Sequence, residues 1–155
     1  MSPPDMPFPR IRVAAVIVEH NAVLLALHEK NGRRTWVLPG GGVDPGETML
    51  AALQRELREE LDLDVIPRHI VHLCEAIDPG GKRHLVQVAF LCDRPGAGPV
   101  RATGKDPRVV DARFMPLDSL PTLAMHPPIQ RDLLDRARAG FPDRISLPVN
   151  RWIDQ

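Results

Sequence analysis

Apolar residues recur along this chain with two different periods. "IRVAAVIVEHNAVLLALHE", from Ile11 to Glu29, is rich in β-branched residues and leucine on either side of His20 and Asn21; it predicts two strands and a hairpin turn. "TWVLPGG" predicts a short strand stopped by Pro39. The period then changes. From about Glu47 to Leu61, Leu50, Leu53, Leu57 and Leu61 fall at steps of three, four and four, a narrow helical stripe that must face a sheet or another helix. "DVIPRHIVHLCEAI" and "RHLVQVAFLCD" predict two more strands joined by a turn at Pro79-Gly80-Gly81. "RPGAGPVRATGKDPR" reads as a loop, "VVDARFMPL" as a last strand, and "PPIQRDLLDRARAG" as a second helix opened by prolines and closed by Gly140.

Strands alternating with two helices, without internal repeats, predict an α/β fold: a mixed β-sheet sandwiched between helices in one domain. Residues 1–9 contain Pro3, Pro4, Pro7 and Pro9 and form a flexible leading segment by this reading, so the domain runs over 10–140. Residues 141–155 are a tail packed on the domain or on a partner subunit, with Trp152 available for a base or a dimer contact.

Composition narrows the function mainly by exclusion. Twenty basic and twenty acidic residues leave no net charge, so no long-range field recruits nucleic acid or an anionic membrane, and an anionic ligand must be met locally. No apolar run approaches the roughly 20 residues of a membrane span, and the start lacks the order of a signal peptide; the expected compartment is cytoplasmic. Cys74 and Cys92 lack metal or redox spacing and read as reduced thiols. The six histidines show no zinc-binding spacing.

The candidate chemistry lies in "RELREEL", Arg55 to Leu61. On a helix Glu56 and Glu60 lie about 40° apart and Glu59 about 60° from Glu56, so three carboxylates share one arc beside the leucine stripe. Arg55 can answer Glu59 at i+4, whereas Glu56 and Glu60 find only each other and Asp64 along the helix. A lone acidic pair is ordinarily a solvated face. Here the acids border the buried stripe, and upstream lies "LPGGGVDPGE", a glycine-rich turn whose backbone can approach a ligand at Gly40, Gly41 and Gly42. A divalent cation would relieve the repulsion, and oxygen donors suit Mg²⁺ or Mn²⁺ better than zinc.

The run from Gly41 to Leu63 resembles the Nudix box, G-x5-E-x7-R-E-U-x-E-E-x-G-U with U a bulky aliphatic residue. Gly41, Glu47, Arg55, Glu56, Leu57, Glu59, Glu60 and Leu63 match, and Asp62 stands where the pattern has glycine. Aspartate tolerates the left-handed conformation of a helix end better than most residues, so Asp62 reads as a small stability cost.

The resemblance implies an α/β/α sandwich and a MutT-like hydrolase that cleaves the diphosphate linkage of a nucleoside diphosphate derivative by water attack. It implies that Glu56, Glu59 and Glu60 hold Mg²⁺ (or Mn²⁺), that Glu56 or a loop acid activates water, and that Arg55 and Glu47 orient the glutamates. Asp106 is the preferred loop acid and Asp111 the other candidate. The expected partner is a small-molecule nucleotide, with a homodimer as analogy to the family. Two classes stay open: a metal-dependent pyrophosphohydrolase, favoured by the intact R-E-x-x-E-E, and a catalytically weak nucleotide-binding or sensor module. Within the first, ADP-ribose, other nucleotide sugars and nucleoside triphosphates are all candidate substrates. Pro79 lies 16 positions beyond Leu63 (79 minus 63), near where many ADP-ribose-cleaving members carry a proline, but the Asp78-Pro79-Gly80-Gly81 turn explains it locally. Lys82 and Arg83 beside that turn are candidates to reach a terminal phosphate.

Overall fold

At Ile17 the first apolar run leaves one sheet and enters another. The computed structural model, which describes residues 8–145 and 147–149, places Arg10–Val16 (β1) in one four-stranded sheet and Val18–Glu19 (β2) in a second. His20 and Asn21, both at positive φ (49° and 57°), make the predicted turn into Ala22–Lys30 (β3), and a turn at Asn31 and Gly32 leads to Arg33–Val37 (β4). Gly40–Gly42 (β5) differs from the sequence expectation: it is a strand laid antiparallel on β1.

Helix Met49–Leu61 (α1) is followed by Ile66–Ile77 (β6), His84–Asp93 (β7) and Val109–Pro116 (β8). A 3₁₀ segment over Leu117–Thr122, absent from the sequence reading, precedes helix Gln130–Arg138 (α2). The first sheet has the order β5-β1-β7-β6, parallel only between β1 and β7; in the second, β3 pairs antiparallel with β2, β4 and β8. The pairing is therefore mixed, as expected, but divided between two sheets.

Alternation along the central strands builds the layers. Val13, Ala15 and Ile17 join Leu24, Val88 and Phe90 under Ala52, Leu53, Leu57 and Leu61 of α1. Ala14, Val16, Val23, Leu25 and Ala89 face the other way, toward Leu133 and Leu134 of α2. Strands covered on both faces read as continuous apolar runs, which is why β1 and β3 lack strict alternation. Each fully buried leucine of α1 contributes roughly 2 kcal/mol of transfer free energy, so the stripe anchors the helix that carries the acids.

Both ends of α1 are closed locally. The Thr48 hydroxyl accepts the Ala51 N–H at 3.1 Å. At the other end Asp62 adopts φ 49°, ψ 42°, with its N–H on Arg58 O (3.0 Å) and the Leu63 N–H on Leu57 O (3.2 Å), a left-handed cap of the Schellman kind. The loop after β7 docks on the same end. Thr103 donates its N–H to Glu60 O (2.8 Å) and its hydroxyl to Glu59 O (2.5 Å), satisfying carbonyls that a helix end leaves open.

Ile145 pairs with Ile70 across an isolated bridge, and Leu147 packs on the α1-side core; Trp152 lies outside the described residues. Among the described residues no helix is long and apolar enough to cross a membrane.

Candidate active site

Helix α1 turns Glu56 and Glu60, but not Glu59, toward the strand of glycines. Glu60 is 4% exposed, whereas the Glu59 side chain is 54% exposed and that of Glu56 17%. Glu60 Oε2 is buried without a hydrogen-bond partner. Burial pushes the Glu60 carboxyl up to about 7 against the pull of Arg12, and the charges of Glu56 and Asp106 add to the rise. An unpaired buried carboxylate oxygen is costly until a proton or a cation meets it.

The glycines are explained by clearance. A Cβ on Gly41 would stand 2.5 Å from either carboxylate oxygen of Glu56, and one on Gly40 would run into the Val13 carbonyl of β1. The strand passes this close to α1 only because it lacks side chains.

Arg55 ties the box together. Its Nε and one terminal nitrogen donate to the two oxygens of Glu47 (2.8 and 2.9 Å), and the other terminal nitrogen donates to Glu56 Oε1 (2.8 Å) and lies 3.6 Å from Glu59 Oε2. Glu47 also accepts the Asp44 N–H at 3.1 Å. Arg55 and that backbone contact hold the Glu47 carboxyl down at about 2, and Glu47 in turn raises Arg55 above the ordinary guanidinium value. Asp64, which the helix geometry offered to Glu60, pairs with Arg58 instead (2.7 Å).

Three groups at the site arrive from elsewhere in the chain, and sequence reading missed them. Arg12 of β1 donates to Gln87 Oε1 and Leu38 O, both at 2.7 Å, and places its charge beside Glu60 and Glu56. His28 is aimed inward where β3 shifts register against β8 between Leu27 and His28. Its Nε2 is buried and unpartnered, and burial, aided by Arg12 and Arg108, pushes it down to about 4. Arg108 follows the loop. With Glu56, Glu60 and Gly41 these three line a pocket of about 210 Å³. The one local signal was an arginine inside an apolar strand run.

Asp106 is near enough to raise Glu60, but Arg108 holds both its oxygens, Nε on Oδ1 at 3.0 Å and a terminal nitrogen on Oδ2 at 2.7 Å, keeping its carboxyl below the ordinary value. Asp111 lies on β8, paired with Arg113 and the Ala112 N–H, and does not line the pocket.

The NUDIX domain family model matches residues 8–137. The chain belongs to the Nudix family. Over 128 residues it is 31% identical to an ADP-ribose pyrophosphatase of Methanocaldococcus jannaschii, covering 81% of this chain and 73% of that one. It is 34% identical over 112 residues to the human 8-oxo-dGDP phosphatase NUDT18, covering 71% of this chain but only 33% of that longer protein. A NUDIX hydrolase from Nitrosomonas europaea superposes with a TM-score of 0.77 at 19% identity, over 94% of this chain and 98% of that one, a likeness of fold.

Nudix enzymes generally use divalent metal ions, and the residues of this Nudix site fit one. The donors are carboxylate oxygens, and one of them, Glu60 Oε2, is buried and unanswered. Among the described residues no three acids, histidines or cysteines already converge at ligand distance; Arg55 holds Glu56 and reaches toward Glu59.

Proposed function

We propose that this Nudix protein hydrolyses the phosphoanhydride linkage of a nucleoside diphosphate derivative, with Mg²⁺ or Mn²⁺ held by Glu56, Glu59 and Glu60. Its family and its similarity to an ADP-ribose pyrophosphatase make it a hydrolase of pyrophosphate bonds. The observation that carries the metal assignment is the buried, unpartnered Oε2 of Glu60 beside Glu56.

When bound, the cation neutralises charge on the diphosphate and acidifies a bound water. The chain's own groups do the rest. Arg55 fixes Glu56 through Oε1, leaving Oε2 to take the proton from water as the water oxygen bonds to phosphorus and the bridging P–O bond breaks. Glu56 is a better base than Asp106, whose two oxygens are both engaged by Arg108. Glu47 positions Arg55, and Arg12 and Arg108 offer charge to the diphosphate. ADP-ribose, other nucleotide sugars and nucleoside triphosphates are the substrates to compare.

Glu60→Gln should remove most metal-dependent turnover while leaving the fold intact. Product release from those three classes, with and without Mg²⁺ or Mn²⁺, tests this; unchanged kinetics in the variant would overturn the metal assignment.

A further inference from the structure

Beside the pocket that holds Glu56 and Glu60 lies a larger cavity of about 650 Å³ whose charged lining is mostly arginine. It opens where Arg33, at the start of β4, faces the β6–β7 turn with Pro79 and Arg83, and it shares Arg10, Leu85 and Arg108 with the pocket that holds Glu56 and Glu60. Four arginines line it against one aspartate, Asp78, and even with Arg108 paired to Asp106 the arginines are in excess, in a chain whose basic and acidic residues balance at 20 each.

That aspartate is already engaged. Asp78 accepts the Arg83 N–H at 3.0 Å and lies 3.6 Å from Arg83 Nε. Among the described residues neither Arg10 nor Arg33 has an ion-pair partner within 4.0 Å. Burial, with Arg12 and Arg83 nearby, holds His126 on the cavity wall below the ordinary imidazole value, so the surplus charge is guanidinium. The rest of the wall is His84, which pairs with Glu75 at 3.1 Å, and the apolar Ala76, Ile77, Pro79 and Leu85, so the cavity is open to solvent with its free charge on guanidiniums.

We propose that this cavity is a phosphate subsite: Arg10, Arg33 and Arg83 receive a phosphate of the substrate that lies outside the scissile diphosphate, so preferred substrates are nucleotides carrying one phosphate more than the cleaved linkage requires. The inference rests on hydrolysis at the neighbouring pocket of Glu56 and Glu60, which shares Arg10 and Arg108 with it. Guanidiniums offer fixed pairs of donors that match phosphate oxygens. The extra phosphate can be the third of a nucleoside triphosphate or a monoester on a sugar, and matched pairs separate the two.

Inorganic phosphate is titrated into the full chain with chelator present, following the backbone amides of Arg33, Gly80, Gly81 and Arg83 by NMR. Saturating shifts at both turns are expected, with affinity falling about tenfold in Arg33→Ala and in Arg83→Ala. Equal affinity in the double variant overturns the proposal. Turnover is then compared for nucleoside triphosphate against diphosphate and for coenzyme A against its 3′-dephospho form. The pair whose phosphorylated member is favoured names the source, and its kcat/KM ratio should fall about tenfold in Arg33→Ala; a ratio that does not move overturns the proposal. Hydrolysis of ADP-ribose or a nucleotide sugar with neither pair turned over overturns the proposal; if phosphate titrates as expected but none of these substrates is hydrolysed, the hydrolytic reading fails and the anion subsite stands.

Discussion

Arg55 meets Glu47 edge to edge, Nε on Oε1 at 2.8 Å and a terminal nitrogen on Oε2 at 2.9 Å. The fork leaves the third nitrogen directed at Glu56. A lysine has charge but no plane, so it cannot hold both carboxylates at fixed angles. With Glu56 in its proposed role as a metal ligand, Arg55→Lys should therefore lower kcat about 10- to 100-fold, the usual cost of losing a residue that orients such a ligand, with a smaller change in KM. Steady-state kinetics and a metal titration check this; an equal loss in kcat/KM through KM alone would mean that Arg55 binds substrate instead.

The same pair makes stability depend on pH. The Glu47 carboxyl lies at about 2 in the folded chain against an ordinary value of 4.5, so its contribution is fully present above the unfolded value and is lost as pH falls from there toward 2. Urea midpoints of the wild type and Glu47→Gln should differ at pH 6 and converge as the pH drops below 4. Curves that stay parallel would remove Glu47 from the acid response.

Adjacent glycines of β5 predict opposite failures. A methyl on Gly40 meets the backbone of β1, which cannot yield without disturbing the sheet, whereas one on Gly41 meets the end of the Glu56 side chain. Gly40→Ala should cost roughly 1–3 kcal/mol of stability, the range for overpacking. Gly41→Ala should leave the melting temperature nearly unchanged while displacing Glu56 and lowering metal-dependent kcat. Calorimetry and kinetics on both variants separate the two effects.

What the sequence made legible follows from distance along the chain. The leucine stripe and the three glutamates sit within a few turns of one helix, where angular spacing alone puts Glu56, Glu59 and Glu60 on one arc; only Glu56 and Glu60 line the pocket. Arg12 reaches Glu60 only because β1 pairs with β5 and β7, setting Arg12 opposite Gly42 and Gln87. His28 depends on a register shift between β3 and β8, and the basic cavity on two turns far apart in sequence. None of these pairings has a local signature. The split into two sheets was equally hidden, since the apolar run through Val16, Ile17 and Val18 does not change character where the strand changes partners. The glycine run read as a turn because glycine is common in turns; here it gives clearance to Glu56.

Asp62 is the departure from the box that can be corrected without touching the chemistry. It holds φ 49°, ψ 42° at the end of α1 and, through its backbone N–H on Arg58 O, closes the helix as a glycine would. Glycine adopts this conformation without steric cost but loses more chain entropy on folding, so the two effects partly cancel and Asp62→Gly should stabilise by about 0.5 kcal/mol. For a domain of this size that is a rise of about 1–2 °C in Tm. The side chain is exposed and lines neither cavity, so kcat should stay at the wild-type value. A fall in Tm would mean that the carboxylate itself supports the helix end, and a fall in kcat that the cap sets the position of Glu59 and Glu60 more tightly than their backbone bonds to Thr103 do.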